Sequence, residues 1–326
     1  MARESLFRQS TTEPDWGVHK IPSLAGRVAI VTGASAGLGK VTALELARKG
    51  AHVFLVGRSE AKTQAVVDEI KRETGSSKVE LLLADLLDLQ TVEAAADKFV
   101  ARGLPLDILV NNAGIMDAPF ALSAQGIEST FAVNHFATTV FTVRLLPAIK
   151  RAAMPRIVNV SSYAHEFVGP HGIDFAKLND EASFDTNARY CETKLANVLF
   201  TTQLQKHFEA AGVKNVLVNA VHPGVVETEL FRHNDVLTPA AIADQLLKGG
   251  KPISAEKGAL TQLYVAADPE VAEKQYRGRY FVPFAQLAEV HETAKDEGLA
   301  ARTWEWAQDV LQKHYRADWS WAAADL

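Results

Sequence analysis

The sequence predicts a single α/β domain built on a doubly wound parallel sheet, and two observations carry that prediction. From Arg27 onward, short β-branched runs alternate with stretches whose apolar residues recur at helical spacing. The first run, VAIVTG, ends in the glycine-rich turn ASAGLGK, which leads straight into the helical pattern VTALELARKG. Strand, turn and helix repeated in this order make right-handed crossovers, so the strands lie parallel beneath helices on both faces.

Residues 1–24 mix charges, Thr, Pro and Gly without period and read as an arm on the surface, with Trp16 as the residue that can pin it. The first helix closes at Gly50. HVFLVG then gives a second strand, 60–74 a polar helix, VELLLAD a third strand, 89–101 a helix and LDILVNNAG a fourth strand. A long helix is expected from Ala124 to Arg151, then the strand RIVNVSS, an irregular insertion over 163–187, and a helix carrying RYCETKLANVLF to about Ala211. NVLVNAVHPG follows as a strand, 225–251 as a substrate lid and Ala255–Ala266 as a helix. A short strand at Arg279–Val282 and a C-terminal helix ending near Tyr315 complete the domain, placed at 25–316 with 317–326 as a tail. No repeat or low-complexity linker divides it.

Composition narrows the function. Of the 326 residues 48% are hydrophobic and 22% charged, enough for a large buried core. A net charge of -5 supplies no basic field for nucleic acid. The lone cysteine, Cys191, excludes an intramolecular disulfide framework, and without a Cys/His cluster no metal is expected. The N-terminal residues contain no apolar run suited to a signal peptide, and no stretch approaches the length of a membrane span, so a cytoplasmic protein is expected.

The chemistry begins at TGASAGLG. Gly33, Gly37 and Gly39 stand directly after a strand and before a helix, the context that makes a glycine pattern a phosphate site. The spacing is looser than GxGxxG and leaves room for Ser35 to bond a phosphate or ribose, while Gly39 lets helix and strand approach. At the end of the second strand, where an acidic residue would take the ribose 2'-hydroxyl of NAD, the chain reads VGRS. The Arg58 fork fits a 2'-phosphate, with Ser59 as a neutral helper, so NADP(H) is the favoured cofactor; a solvated strand-end arginine is the alternative. Asp85 and Leu86 end the third strand where a carboxylate can accept from adenine and an aliphatic chain can pack on it. Asn111 and Asn112 precede Ala113 and Gly114 at the fourth, where amides tie strand ends together and small residues pass the cofactor.

Within RYCETKLANVLF, Tyr190 and Lys194 lie four residues apart and share one helix face, a pairing suited to proton transfer. The motifs TGASAGLG, NNAG, VNVSS, YCETK and HPG, in this order, resemble those of the short-chain dehydrogenase/reductase family, whose sheet is of the Rossmann type. YCETKLANVLFT, VHPGVVETEL and TWEWAQDVL are similar to the retinol-dehydrogenase-like and WW-domain-oxidoreductase-like branch. The resemblance implies a catalytic set of Asn134, Ser162, Tyr190 and Lys194, the second serine of VNVSS being the reactive one. It also implies that Pro223, Gly224 and Thr228 hold the nicotinamide amide, with Leu38 and Val226, and with Tyr190 and Lys194 again, in the cofactor-binding set.

Hydride addition to a carbonyl creates an alkoxide that needs a proton, and a phenol must be tuned from near 10 toward neutrality to give and take it, at about 4 kcal/mol. An ammonium about 5 Å away supplies roughly 3 kcal/mol of that at an effective dielectric near 20. Ser162 is expected to hold the substrate oxygen, and Asn134 to bridge Lys194 to solvent through water. His135, His165, His171 and His222 lack the pairing of a metal site and read as packing or cleft-rim residues. Cys191, about 100° around the helix from Tyr190, reads as a small buried thiol, and Tyr163 as a substrate-pocket residue.

The expected substrate is a small carbonyl or alcohol. The insertion over 163–187 and the lid over 225–251 should choose it. With no apolar N-terminal anchor in the sequence, a lipophilic or aromatic aldehyde or ketone is favoured over a retinoid. A dehydratase or epimerase on the same scaffold, or a non-catalytic NADP-binding regulator, is the alternative, and the chain is expected as a homodimer or a monomer.

Overall fold

Alternate residues of β1 (Val28–Thr32) bury into different apolar clusters: Val28 and Ile30 into one, Ala29 and Val31 into the other. A strand buried on both faces reads as a continuous apolar run, which is why VAIVT shows no polar alternation. β2 (His52–Gly57) divides in the same way, with Phe54 and Val56 on one side and Val53 and Leu55 on the other. The computed structural model describes residues 15–116, 118–227, 230 and 251–320. Among these, β3 (Val79–Leu83), β4 (Ile108–Asn111), β5 (Arg156–Val160), β6 (Leu217–Val221), β7 (Tyr280–Val282) and β8 (Gln286–Ala288) extend the sheet in the order β3-β2-β1-β4-β5-β6-β7-β8. Every described pairing is parallel except β7 with β8. The order reverses between β1 and β4, and a crevice opens at the carboxyl ends of strands at such a point.

Helices cover both faces. α1 (Gly37–Arg48), α2 (Glu60–Thr74) and α7 (Ala255–Ala267) pack on one, with Leu46, Ile70 and Leu263 fully buried. On the other face lie α3 (Leu89–Val100), α4 (129–144), α6 (Thr186–Ala210) and α10 (Glu297–His314), burying Phe99, Phe136, Leu199 and Leu311. Asp185 caps α6 by accepting the Ala188 amide at 2.7 Å, which starts the helix four residues before Tyr190.

The structure corrects the long helix expected from Ala124 to Arg151. Gly126, at φ +70°, and the Ser123–Ile127 turn hold residues 123–127 out of helical geometry. Helix α4 instead comprises Ser129–Phe131, a π turn over Ala132–Phe136 and Ala137–Arg144. Its cap is the buried Glu128 carboxylate, which accepts the Thr130 and Phe131 amides at 2.7 and 3.1 Å. Pro147 has no amide to continue the ladder, and the chain restarts as α5 (Leu146–Ile149).

Other departures are local. The irregular insertion contains 3₁₀ turns at Tyr163–Glu166, Phe175–Lys177 and Glu181–Ser183. The sequence reading also missed β8 and two short helices, α8 (Pro269–Glu273) and α9 (Glu292–Lys295), all too brief to show a period. Trp16 fastens the described end of the arm, residues 15–24: its indole donates to Asp268 at 2.6 Å, and its ring meets Tyr264 edge-on at 5.6 Å. Most of the expected lid, 231–250, lies outside the described residues.

Candidate active site

Gly39 shows how tightly the turn after β1 is built. A Cβ there would lie 2.4 Å from the Gly33 carbonyl oxygen and 2.6 Å from Asn112 Nδ2, so only glycine lets α1 seat on the strand ends. Gly33 itself has φ +65°, and a Cβ on it would come 2.9 Å from Ala113 Cα. Asn112 locks the other side: Nδ2 donates to the Thr32 carbonyl at 2.9 Å, and the Asn112 and Ala113 amides both reach the Thr32 hydroxyl at 3.0 Å. Helix α1 begins at Gly37 with no side chain capping it. Ala36, Gly37 and Leu38 line a cavity of about 850 Å³, so uncapped amides of a 12-residue helix border a space that a diphosphate fits.

The cavity follows the carboxyl ends of the strands. It is lined by Gly33, Ser35, Gly37 and Leu38 after β1, by Arg58 after β2 and by Asp85 and Leu86 after β3. Asn112, Ala113 and Gly114 line it after β4, Ser162 after β5, Tyr190 and Lys194 from α6, and Pro223, Gly224 and Val226 after β6. The exposed Arg58 makes no ion pair among the described residues. Ser59 is not part of the lining; its hydroxyl caps α2 by accepting the Lys62 amide at 3.4 Å. Asp85 Oδ1 accepts the Leu87 amide at 3.0 Å, which fixes the loop after β3. Gly39 and Asn134 stand behind the lining, and Thr228 lies outside the described residues.

Lys194 is the electrostatic centre. The side chain is buried, its ammonium donates to the Val160 carbonyl at 3.2 Å, and its nitrogen stands 5.4 Å from the centroid of the Tyr190 ring. Burial alone lowers its pKa to about 8. The two serines divide their work. Ser161 donates to the Lys194 carbonyl at 2.7 Å and fastens α6 to β5, whereas Ser162 Oγ accepts the Ala164 amide at 3.1 Å beside the cavity.

Asn134 sits in the π turn, a break in helical register that recurs at functional sites. Its carboxamide clamps the loop after β4, accepting the Ile115 amide at 2.7 Å and donating to the Ile115 carbonyl at 2.9 Å and the Thr193 hydroxyl at 3.1 Å. A Cβ on Gly114 would lie 3.3 Å from Asn134 Oδ1 and 3.4 Å from Lys194 Nζ, so both groups flank this glycine.

Some lining residues escaped the sequence. Ile115, Met116, Ala118 and Pro119 follow β4 in a loop that carries no period, and Phe167 and Leu230, within the expected insertion and lid, were not singled out there. His222, read as packing or rim, lines the cavity and meets the Tyr163 ring at 5.6 Å, with burial pushing its pKa down to about 3. Burial pushes the Cys191 thiol up to about 11, which keeps it a protonated, unreactive wall. Among the described residues no His, Cys, Asp and Glu group is arranged to hold a metal, and no helix is long and apolar enough to cross a membrane.

Known proteins resemble this chain in sequence and in fold. The family model described as short chain dehydrogenase matches residues 27–176. Retinol dehydrogenase 13 of Homo sapiens is 39% identical over 290 residues, covering 86% of this chain and 83% of its own length. The chain belongs to the short-chain dehydrogenase/reductase family. Identity at that level and coverage place it in the retinol-dehydrogenase-like branch. Among solved structures of this fold, an uncharacterised protein from Mycobacterium Paratuberculosis superposes with a TM-score of 0.72 at 32% identity, covering 92% of this chain and 98% of the other. A structure described as an NAD(P)-dependent gluconate 5-dehydrogenase from Beutenbergia cavernae, with NADP bound at low occupancy, gives 0.61 at 29% identity, over 80% of this chain and 96% of that one.

The lowered pKa of Lys194 sets a pH dependence for this short-chain dehydrogenase/reductase. An unfolded chain holds the lysine proton up to about pH 10.4, whereas the folded protein releases it near 8. Below that window the buried ammonium therefore costs stability, and the cost fades as pH rises from about 8 toward 10.4. Lys194→Met should make the cofactor-free protein more stable than the parent at pH 7, by up to about 3 kcal/mol. That advantage should shrink at pH 10. Urea denaturation at both pH values measures it, and an equal gap at the two would contradict the buried charge.

Proposed function

We propose that the chain is an NADP(H)-dependent oxidoreductase that interconverts an aldehyde or ketone, lipophilic or aromatic, and its alcohol, with Tyr190 as the general acid and base. The observation that carries the reading is the shared cavity, which joins the glycine cradle and Arg58 to Ser162, Tyr190 and Lys194 across the reversal of the sheet. The family assignment supports the reaction class. Two features support NADP(H): Arg58 where an NAD enzyme would carry an acid, and the NADP bound by the Beutenbergia cavernae protein.

Bound there, the nicotinamide would supply or take up the hydride. The chain's own residues do the rest. The Ser162 hydroxyl has already accepted the Ala164 amide, so its proton is free to turn toward a substrate oxygen. Tyr190 gives the proton to the developing alkoxide in reduction and removes it in oxidation. The Lys194 ammonium, 5.4 Å from the centroid of the Tyr190 ring, favours a negative charge on that ring over a neutral one. Asn134 holds the Ile115 loop beside Lys194 and supports a water-mediated route for the proton to solvent. Ile115, Met116, Phe167 and Leu230 give the cavity an apolar lining that suits a lipophilic or aromatic substrate and keeps bulk water from the reacting atoms.

Tyr190→Phe should lower turnover by roughly a hundredfold to ten-thousandfold while NADPH binding, followed by fluorescence, stays unchanged. Retained turnover would refute the assigned acid. Arg58→Asp should weaken NADPH by roughly tenfold to a hundredfold and shift preference toward NADH. An unaltered NADPH-to-NADH ratio of kcat/KM would remove Arg58 from 2'-phosphate recognition.

A further inference from the structure

His165 stands fully buried behind the site, and nothing in the reaction as described uses it. It lies in the 3₁₀ turn Tyr163–Glu166, which starts at the reactive serine: Ser162 Oγ accepts the Ala164 amide at 3.1 Å. The imidazole folds back on the same residue, with Nδ1 2.7 Å from the Ser162 carbonyl oxygen. A carbonyl can only accept, so Nδ1 must carry a proton. On the far side of the ring, the backbone amide of His291 donates to Nε2 at 3.5 Å, so Nε2 must present its lone pair. The two contacts demand the same neutral Nδ1–H tautomer. The Tyr280 hydroxyl, 3.5 Å from Nδ1, then has to act as acceptor, and its ring meets the imidazole edge-on at 5.0 Å.

We infer that His165 is a positioning residue: as the Nδ1–H tautomer it clasps the Ser162 carbonyl, fixes the rotamer from which Ser162 addresses the substrate oxygen, and ties that serine to the C-terminal segment at Tyr280 and His291. This rests on the oxidoreductase reading for what Ser162 does, and on the geometry above for how it is held. The titratable groups around the ring are Glu166, His222, Tyr280 and His291. Burial, reinforced by His291, lowers the His165 pKa to about 4, in keeping with a ring that works neutral. The C-terminal segment, which contributes no residue to the described lining, thereby reaches the reacting serine through one side chain.

The test uses two replacements that separate the ring nitrogens. In His165→Asn the amide nitrogen stands where Nδ1 stood and can still donate to Ser162, whereas in His165→Gln it reaches only the Nε2 position. The Gln variant should lose roughly tenfold or more in kcat with NADPH affinity unchanged, and the Asn variant should recover most of that loss. In a Ser162→Ala background His165→Gln should cost little further, because there is no hydroxyl left to place. Nitrogen-15 NMR of the parent protein should show a neutral imidazole protonated at Nδ1, with a slowly exchanging proton. Equal losses in the Asn and Gln variants, an undiminished cost in the Ser162→Ala background, or an Nε2–H tautomer would each overturn the clasp. A parent protein that reduces no carbonyl would sink the oxidoreductase reading instead, and the NMR result would still decide the tautomer.

Discussion

A buried ammonium is the constraint on which the site depends. Lys194 is almost wholly withdrawn from water, with Val160 as its hydrogen-bond acceptor. Such a charge is expensive to hold, and buried groups perturbed in this way cluster at functional sites. The surrounding structure keeps it in place. Ser161 ties the Lys194 carbonyl to the end of β5, Gly114 leaves room beside its nitrogen, and Asn197 donates to the same Val160 carbonyl at 3.4 Å. Helix α6 is further fixed by Arg189, which is buried against Glu128 and donates to the Lys177 carbonyl at 2.8 Å. The insertion before α6 is therefore fastened to the helix that carries Tyr190 and Lys194.

The parts of this architecture that sequence could reach are those with a period or a strict steric requirement. TGASAGLG was legible because no residue but glycine fits Gly39 against Gly33 and Asn112, and because strand and helix flank it. Tyr190 and Lys194 were legible because their spacing puts them on one helix face, and α6 does place both on the cavity. The π turn around Asn134 was not legible, since a single extra residue in a helical turn leaves an apolar pattern almost unchanged. Nor was the start of α4, where a buried glutamate acts as cap in place of Ser, Thr, Asp or Asn.

The cavity wall formed by the loop after β4 shows a second limit of pattern reading. Ile115, Met116 and Pro119 are chosen by the cavity they border rather than by the element they belong to. His165 and His222 looked alike in the sequence, isolated and unpaired. In three dimensions one holds the carbonyl of Ser162 and the other meets Tyr163 at the cavity wall. What separates them is contact over more than a hundred residues of chain, from His165 to Tyr280 and His291, which no local pattern encodes.

The claim at the centre of this account is that one cavity brings a nicotinamide hydride and a substrate carbonyl together. The most direct measurement follows deuterium from NADPH labelled at the transferring position into product, across a panel of aromatic, aliphatic and steroid aldehydes and ketones. The account predicts NADPH oxidation with one deuterium on the carbinol carbon of the alcohol, by mass spectrometry, and none there when unlabelled NADPH is used in heavy water. Product formed without the label, or no NADPH consumed with any member of the panel, would contradict it.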